Sequence, residues 1–195
     1  YFAWLAAVPD GHIDVVLNIN GEKKRLTGDG YHDHNWGNTP LQRLFDGWTW
    51  FRGKTEEHTI ITAELYTSDE RGGYDIPILY IANEQDGIIV NRFGQDGLFT
   101  KYSDRIENLY NKKNEPYFST IDILTIDNQH IRVTGEKVID NSNLFQRMGL
   151  PWPIKWVLNQ AKIDPYYTRF NSDLIYKVND KSQKGFGVLE IMDLK

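Results

Sequence analysis

The sequence predicts an all-β fold, an antiparallel β-barrel or sandwich with one short helix. Short runs rich in β-branched and aromatic residues recur along the chain, as expected of strands. Turn signals separate these runs at intervals of about 10–15 residues, a spacing typical of antiparallel sandwiches and barrels. Asn20-Gly21, a strong two-residue hairpin signal, joins two of the runs.

Each predicted strand is bounded by residues that favour turns. Segments 13–18 and 23–26 flank Asn20-Gly21 and form the first predicted hairpin. Further turns are predicted at 54–56, 69–73, 84–87, 94–97, 127–128 and 179–184. The remaining strands are predicted at 59–66, 76–82, 88–93, 118–126, 131–139, 169–178 and 186–192.

One segment departs from the strand pattern. Pro153 suits the first turn of a helix, and the apolar residues from Ile154 to Ala161 follow with helical spacing. We therefore expect a helix near 153–162 that lies against the sheet or caps it.

Composition excludes several classes of function. The net charge of −5 and the lack of a basic cluster along the sequence argue against a nucleic-acid partner. No apolar run approaches the ~20 residues that a transmembrane helix needs. The chain has no cysteine, which excludes disulfides and thiolate metal sites and leaves the compartment open. Aromatic side chains make up 13% of the residues and line apolar pockets as readily as they fill cores, so a small lipophilic molecule is the expected partner if they line a pocket.

Segment 30–37 concentrates chemically versatile side chains between two glycines. In an extended strand successive side chains alternate between the two faces. One face would carry His32, His34 and Trp36, and the other Tyr31, Asp33 and Asn35. The first face would place a proton-transfer group, an imidazole, beside a large aromatic side chain, which is typical of a functional site.

The two histidines leave three interpretations open. Histidines at i and i+2 can bind one metal ion, but such a site needs a third ligand, and Gly37 and Asn38 stand where a cupin would place a glutamate. Alternatively, His32 and His34 are hydrogen-bonded within the sheet, or they belong to a polar site without metal. We favour the last interpretation and expect no metal and no cofactor.

Two further groups of residues are candidates for a site. Trp48, Trp50 and Arg52 would share one strand face, where an Arg beside indoles is favourable, although core packing also explains tryptophans. Glu64 lies among apolar neighbours, on the same predicted face as Tyr66. Burial would raise the pKa of Glu64 and keep it protonated as a general acid. The alternative for Glu64 is an ordinary ion pair with Arg52 or a lysine.

Segments 30–37 and 48–52 resemble the signature of the AttH-like, lipocalin-related proteins. That group includes carotenoid 1,2-hydratases (hydroxyneurosporene synthases), kievitone hydratases and some fungal Diels–Alderases. Segments 165–170 and 185–192 resemble the family's closing strands. The resemblance implies a lipocalin-like barrel with a hydrophobic cavity.

Members of this family have two lipocalin-like domains, with the histidine motif well into the chain. In this sequence the motif begins at residue 30. We therefore expect residues 1–40 to be the last strands of a first domain and residues 41–195 to be a second domain. An upstream part of the first domain would then be missing here and would contact the chain intramolecularly.

The resemblance also implies chemistry, namely addition of water to an isolated C=C bond. Glu64 would protonate the alkene, with Asp33 as second choice, and His34 would orient and deprotonate the water. At the place of the family's Tyr-x-Asp element this sequence has Thr62-Ala63-Glu64, or Glu64-Leu65-Tyr66 if the alignment shifts by two residues. The substrate would be bound by Trp36, Trp48, Trp50, Tyr66, His32, Tyr31 and Asn35.

Three functions are therefore compatible with the sequence. We favour an enzyme of hydratase or isomerase type that acts on an isoprenoid or polyketide-like substrate. The alternatives are a non-catalytic carrier of lipophilic ligands and a structural module that seals a junction between β-domains.

Overall fold

The computed structural model describes residues 1–106, 117–147, 149, 151–154, 156 and 165–194. The chain divides into two compact units, Tyr1–Leu41 and Gln42–Lys195. Each unit has its own sheet.

The first unit is a long antiparallel hairpin of β1 (Phe2–Ile19) and β2 (Glu22–Gly37). Asn20 and Gly21 turn the chain with φ values of 52° and 89°, as a two-residue hairpin turn requires. The register shifts on either side of Val8. Segment 30–37 lies entirely within β2, as the strand prediction required.

The second unit is one nine-stranded antiparallel sheet in the order β6-β5-β4-β3-β11-β10-β9-β8-β7. The sheet curls into a half-barrel, which confirms the predicted all-β class. Short 3₁₀ turns lie at Leu41–Arg43 and Asp69–Arg71, and a four-residue helix, α1, at Leu144–Arg147. The strands are β3 (Phe45–Thr55), β4 (Thr59–Thr67), β5 (Asp75–Asn83), β6 (Gly87–Phe93), β7 (Leu98–Ile106), β8 (Tyr117–Thr125), β9 (Gln129–Asn143), β10 (Tyr166–Val178) and β11 (Lys181–Asp193).

The concave face of this sheet holds the hydrophobic core. Strand alternation directs every second side chain inward, and the buried hydrophobic side chains among them form one cluster of β-branched, leucine and aromatic residues. This burial is the main favourable term for folding the unit. The core side chains with less than 2% exposure include Phe51, Ile60, Leu79, Ile81, Ile131, Val133, Leu174 and Leu189.

The helical prediction falls largely outside the described residues. Residues 152–154 and 156 are helical, and the rest of the predicted segment, 157–162, is not described. The short helix α1 was not predicted. No helix among the described residues combines the length and the apolar character needed to cross a membrane.

Candidate functional site

Glu64 lies inside the half-barrel. It belongs to β4, is only 4% exposed, and pairs across the strands with Thr49 of β3. Its neighbours along the inner face of β4 are Thr62 and Tyr66. A buried carboxyl group is rare, and it requires hydrogen-bond partners to offset the loss of water.

Strand β7 supplies those partners from across the concave face. The Thr100 hydroxyl donates to Oε1 of Glu64 at 2.5 Å, and the Tyr102 hydroxyl donates to Oε2. The Tyr66 hydroxyl donates to the Tyr102 hydroxyl at 2.8 Å, and the Thr49 hydroxyl lies 3.1 Å from it. Five side chains from three strands therefore form one connected network, which we call the acid–tyrosine network: Thr49, Glu64, Tyr66, Thr100 and Tyr102.

Burial governs the ionisation of this network. Desolvation raises the pKa of Glu64, although the hydrogen bonds from Thr100 and Tyr102 act in the opposite direction. Desolvation also raises the pKa of Tyr66 to about 12 and raises the pKa of Tyr102 further. Both phenols therefore stay protonated at neutral pH and can donate hydrogen bonds. The pKa of Glu64 is raised, which is the direction that the sequence analysis expected, and its role as a general acid stays a prediction.

A small cavity adjoins Glu64. Its wall comes from β3, β4, β7 and β8 and includes Thr49, Phe51, Thr100, Tyr102 and Ile121. The cavity has room for about one water molecule. This space suits a water molecule or the reacting end of a substrate, whereas a whole drug-sized ligand needs about 300–1,000 Å³.

The predicted aromatic wall on β3 lies on the other face of the sheet. Along β3 the buried positions include Thr49 and Phe51, and the alternate, partly exposed positions include Trp48, Trp50 and Arg52. Since Glu64 pairs with Thr49, strand alternation directs the Trp48 and Trp50 side chains away from the acid. Trp50 borders the cavity from a strand position between Thr49 and Phe51. Tyr66, in contrast, belongs to the acid–tyrosine network.

In the hairpin unit, Asp33 is the centre of a small polar cluster. The Trp4 indole nitrogen donates to Oδ2 of Asp33 at 2.8 Å, and the Tyr31 hydroxyl donates to the same oxygen at 3.2 Å. Trp4 pairs with Asn35, so the side chains of Tyr31, Asp33 and Asn35 share a face with it. Asp33 is therefore a hydrogen-bond acceptor that ties β1 to β2.

The other face of β2 carries His32, His34 and Trp36, all of which are exposed. The rings of His34 and Trp36 stack with their centroids 5.4 Å apart, and Trp36 is 43% exposed. Among the described residues no three His, Asp or Glu side chains cluster as metal ligands. The roles of His34 and Asp33 in catalysis, and of His32 and Trp36 in binding, remain predictions.

Three members of the acid–tyrosine network were not identified from the sequence: Thr49, Thr100 and Tyr102. Thr100 and Tyr102 lie on β7, at one edge of the sheet, while Glu64 lies on β4, near the other edge. Only the curl of the sheet brings these strands together. A Thr-x-Tyr alternation on a strand is too common to indicate a site without that curl.

Residues 1–89 match the family model for carotenoid hydratase CrtC. The family resemblance predicted from the sequence is confirmed. The CrtC-matching region contains both the His34–Trp36 pair and Glu64.

Two curated fungal proteins are similar over shorter stretches. The quinolone epoxide rearrangement protein asqO of Emericella nidulans is 27% identical over 97 residues, which is 47% of this chain and 27% of asqO. The quinolone epoxide rearrangement protein penF of Penicillium thymicola is 31% identical over 55 residues, or 28% of this chain and 15% of penF. The matches thus span only a small part of either relative.

Solved structures share the lipocalin-like fold. CghA with Sch210972 has a TM-score of 0.67 at 11% identity, covering 100% of this chain and 55% of CghA. Kievitone hydratase from Nectria haematococca has a TM-score of 0.56 at 14% identity, covering 92% of this chain and 49% of that protein. An AttH-like protein from Nitrosomonas europaea has a TM-score of 0.56 at 12% identity, covering 98% of this chain and 51% of that protein. The chain spans about half the length of these structures.

Proposed function

We propose that this chain provides the acid for a metal-free hydratase- or isomerase-type reaction on a lipophilic, isoprenoid or polyketide-like substrate, with Glu64 as proton donor. The observation that carries the proposal is the burial of Glu64 in the acid–tyrosine network beside a cavity. A neutral carboxylic acid is what protonation of an unactivated alkene requires.

The names of the relatives agree with acid chemistry. Hydration of a C=C bond begins with proton transfer to carbon, and opening of an epoxide is promoted by proton transfer to its ring oxygen. Both reactions therefore need a donor that holds its proton near neutral pH. Glu64 lies within the region that matches the carotenoid hydratase model.

The size of the cavity beside Glu64 suits the reacting end of a substrate better than a whole carried ligand. A carrier must enclose most of its ligand, and the space beside Glu64 accepts only a water molecule or the reacting end of a longer molecule. A hydratase consumes one water, and that water fits this space. On this proposal the apolar remainder of the substrate lies outside the cavity.

Within the acid–tyrosine network, Tyr102 and Thr100 position the acid. Their hydroxyls donate to both oxygens of Glu64 and so hold the plane of its carboxyl group beside the cavity. Tyr66 and Thr49 in turn hold the Tyr102 hydroxyl. His34 is the candidate base on the CrtC resemblance, and that assignment is tested separately by His34→Ala.

The decisive experiment is Glu64→Gln in the 195-residue chain. The amide keeps the shape of the side chain and removes the transferable proton, so turnover should fall by about 100-fold or more. The assay uses a panel of isoprenoid and polyketide-like alkenes in ¹⁸O-labelled water, with product mass as the readout for hydration and chromatographic separation as the readout for isomerisation.

Glu56→Gln is the matched control. Glu56 is an exposed glutamate in the turn between β3 and β4, so the same chemical change there should leave turnover unaltered. Equal turnover by wild type and Glu64→Gln would remove Glu64 from the mechanism. Loss of turnover in both variants would point to a general effect of charge instead.

A further inference from the structure

The convex face of the sheet carries a cluster of cations that the sequence does not show. Cross-strand pairing places residues of five strands, β11, β10, β9, β8 and β7, in two adjacent rows on this face. We call these rows the basic face. The first row is Lys184, Ile175, Arg132, Asp122 and Lys101, and the second row is Ser182, Lys177, His130, Leu124 and Phe99.

The basic face is positive on a chain that is negative overall. Its rows contain four Lys or Arg side chains and one carboxylate, Asp122, while the chain carries a net charge of −5. Asp122 is already neutralised, because it accepts two hydrogen bonds from Arg132 and one contact from His130. Asp173 lies in the next row, toward Phe186.

Three of the cations are available to a partner. Lys101, Lys177 and Lys184 are exposed, and none of them forms an ion pair with any residue in the described ranges. They lie on β7, β10 and β11, so they spread their charge across the face rather than along one strand.

One end of the basic face is apolar. Phe99 and Leu124 are cross-strand partners and are 59% and 44% exposed. Ile126 follows at the end of β8 and is 70% exposed, and its backbone N–H donates to the Gly97 carbonyl. Large apolar side chains gathered at one edge of a charged surface are unusual on a protein that contacts only water.

We infer that the basic face docks onto an anionic lipid surface. Lys and Arg side chains are attracted to acidic headgroups, and exposed aromatic and aliphatic side chains insert at the level of the headgroup–acyl boundary. A polyanion such as nucleic acid would use the cations but leave Phe99, Leu124 and Ile126 without a role. This docking goes beyond the proposed activity and is measured without any substrate, so either can fail alone.

The test is co-sedimentation of the 195-residue chain with vesicles. Vesicles of phosphatidylcholine alone are compared with vesicles that also contain phosphatidylserine, each at low and high salt. We expect binding to the phosphatidylserine vesicles only, weakened by salt. Lys101→Gln with Lys177→Gln should weaken binding about tenfold or more. Phe99→Ser with Ile126→Ser should also weaken it, but without reducing the salt dependence.

The matched control is Lys23→Gln with Lys24→Gln, which removes two exposed lysines of the hairpin and should leave binding unchanged. Thermal unfolding of each variant verifies that the fold is kept. The inference is overturned if phosphatidylserine does not promote binding or if the hairpin pair weakens it equally. Equal affinity for duplex DNA at the same salt would likewise overturn it, because it would indicate a general polyanion surface.

Discussion

At the scale of single residues, Glu64 couples the candidate site to stability. Its pKa is raised from the ordinary value of 4.5, so the folded chain holds this proton at pH values where the unfolded chain has lost it. The free energy of unfolding should therefore fall as the pH rises above 4.5 and through the raised pKa. Glu64→Gln should flatten that slope. Urea unfolding at a series of pH values measures it.

The pKa of Asp122 is shifted in the opposite direction to that of Glu64, so Asp122 serves as the comparison. The Arg132 side chain, aided by His130, lowers the pKa of Asp122 from its ordinary value of 3.8. Stability from this carboxylate is present above 3.8 and is lost as the pH falls below it. Asp122→Asn should therefore change the pH dependence of the free energy of unfolding only at acidic pH, below 3.8. A slope above pH 4.5 that persists in Glu64→Gln would contradict the assignment to Glu64.

Tyr102 should act on the ionisation of Glu64 in a predictable direction. Its hydroxyl donates to the carboxyl group and so favours the charged form. Tyr102→Phe removes that donor and should raise the pKa of Glu64 further. The carboxyl C=O stretch in the infrared, identified by subtraction of Glu64→Gln, follows the titration.

Tyr167→Phe is the control for this substitution. Tyr167 is also a partly buried tyrosine with a raised pKa, but it accepts hydrogen bonds from Arg169 and has no contact with Glu64. Removing its hydroxyl should leave the titration of Glu64 unchanged. A pKa of Glu64 that moves downward in Tyr102→Phe would show that the phenol does not stabilise the carboxylate.

At the scale of elements, glycines fix how closely β11 approaches β3. A Cβ atom on Gly187 would lie 2.3 Å from the Arg52 carbonyl oxygen and 2.6 Å from the Gly53 Cα. These contacts are with backbone, so Gly187→Ala must move one strand. We expect a loss of about 1–3 kcal/mol in the free energy of unfolding, measured in urea. Asn171→Ala, at an exposed position of the neighbouring β10, should cost much less.

Most strands were predictable because their signals are local, although β7 (Leu98–Ile106) was not predicted. The runs 59–66, 76–82 and 186–192 each fall within an observed strand, and Asn20-Gly21 forms the predicted turn. Pairing across the sheet is not local. The approach of β7 to β4 depends on the curl of nine strands, so Thr100 and Tyr102 could not be assigned to Glu64 from spacing alone.

The basic face could not be predicted from the sequence for the same reason, because it depends on pairing across the sheet. Lys101, Lys177 and Lys184 are far apart in the sequence, and the sequence analysis found no basic cluster. Register alone brings them into adjacent rows. The Trp48 and Trp50 prediction had a related weakness. Alternation grouped the two indoles correctly on one face, but it could not indicate which face holds the acid.

At the scale of the whole molecule, the two units differ in how they are stabilised. Among the described residues, the hydrophobic core cluster lies within residues 42–195, from Phe51 to Leu189. The hairpin, in contrast, exposes many apolar side chains, including Leu5, Val16 and Leu26. A two-stranded hairpin without other packing is marginally stable in water. The free energy of folding therefore resides mainly in the second unit.

A fragment of residues 42–195 should accordingly fold alone. It retains the core and the acid–tyrosine network, so circular dichroism should show a strand spectrum with one cooperative unfolding transition. Its Glu64 carboxyl should titrate as in the 195-residue chain, because Thr100 and Tyr102, which donate hydrogen bonds to it, both lie within the fragment. The separate peptide 1–41 should show no cooperative transition. If the fragment 42–195 does not unfold cooperatively, the hairpin contributes free energy that is essential for folding. If the fragment folds but the pKa of Glu64 is ordinary, the hairpin is necessary for the burial of the acid.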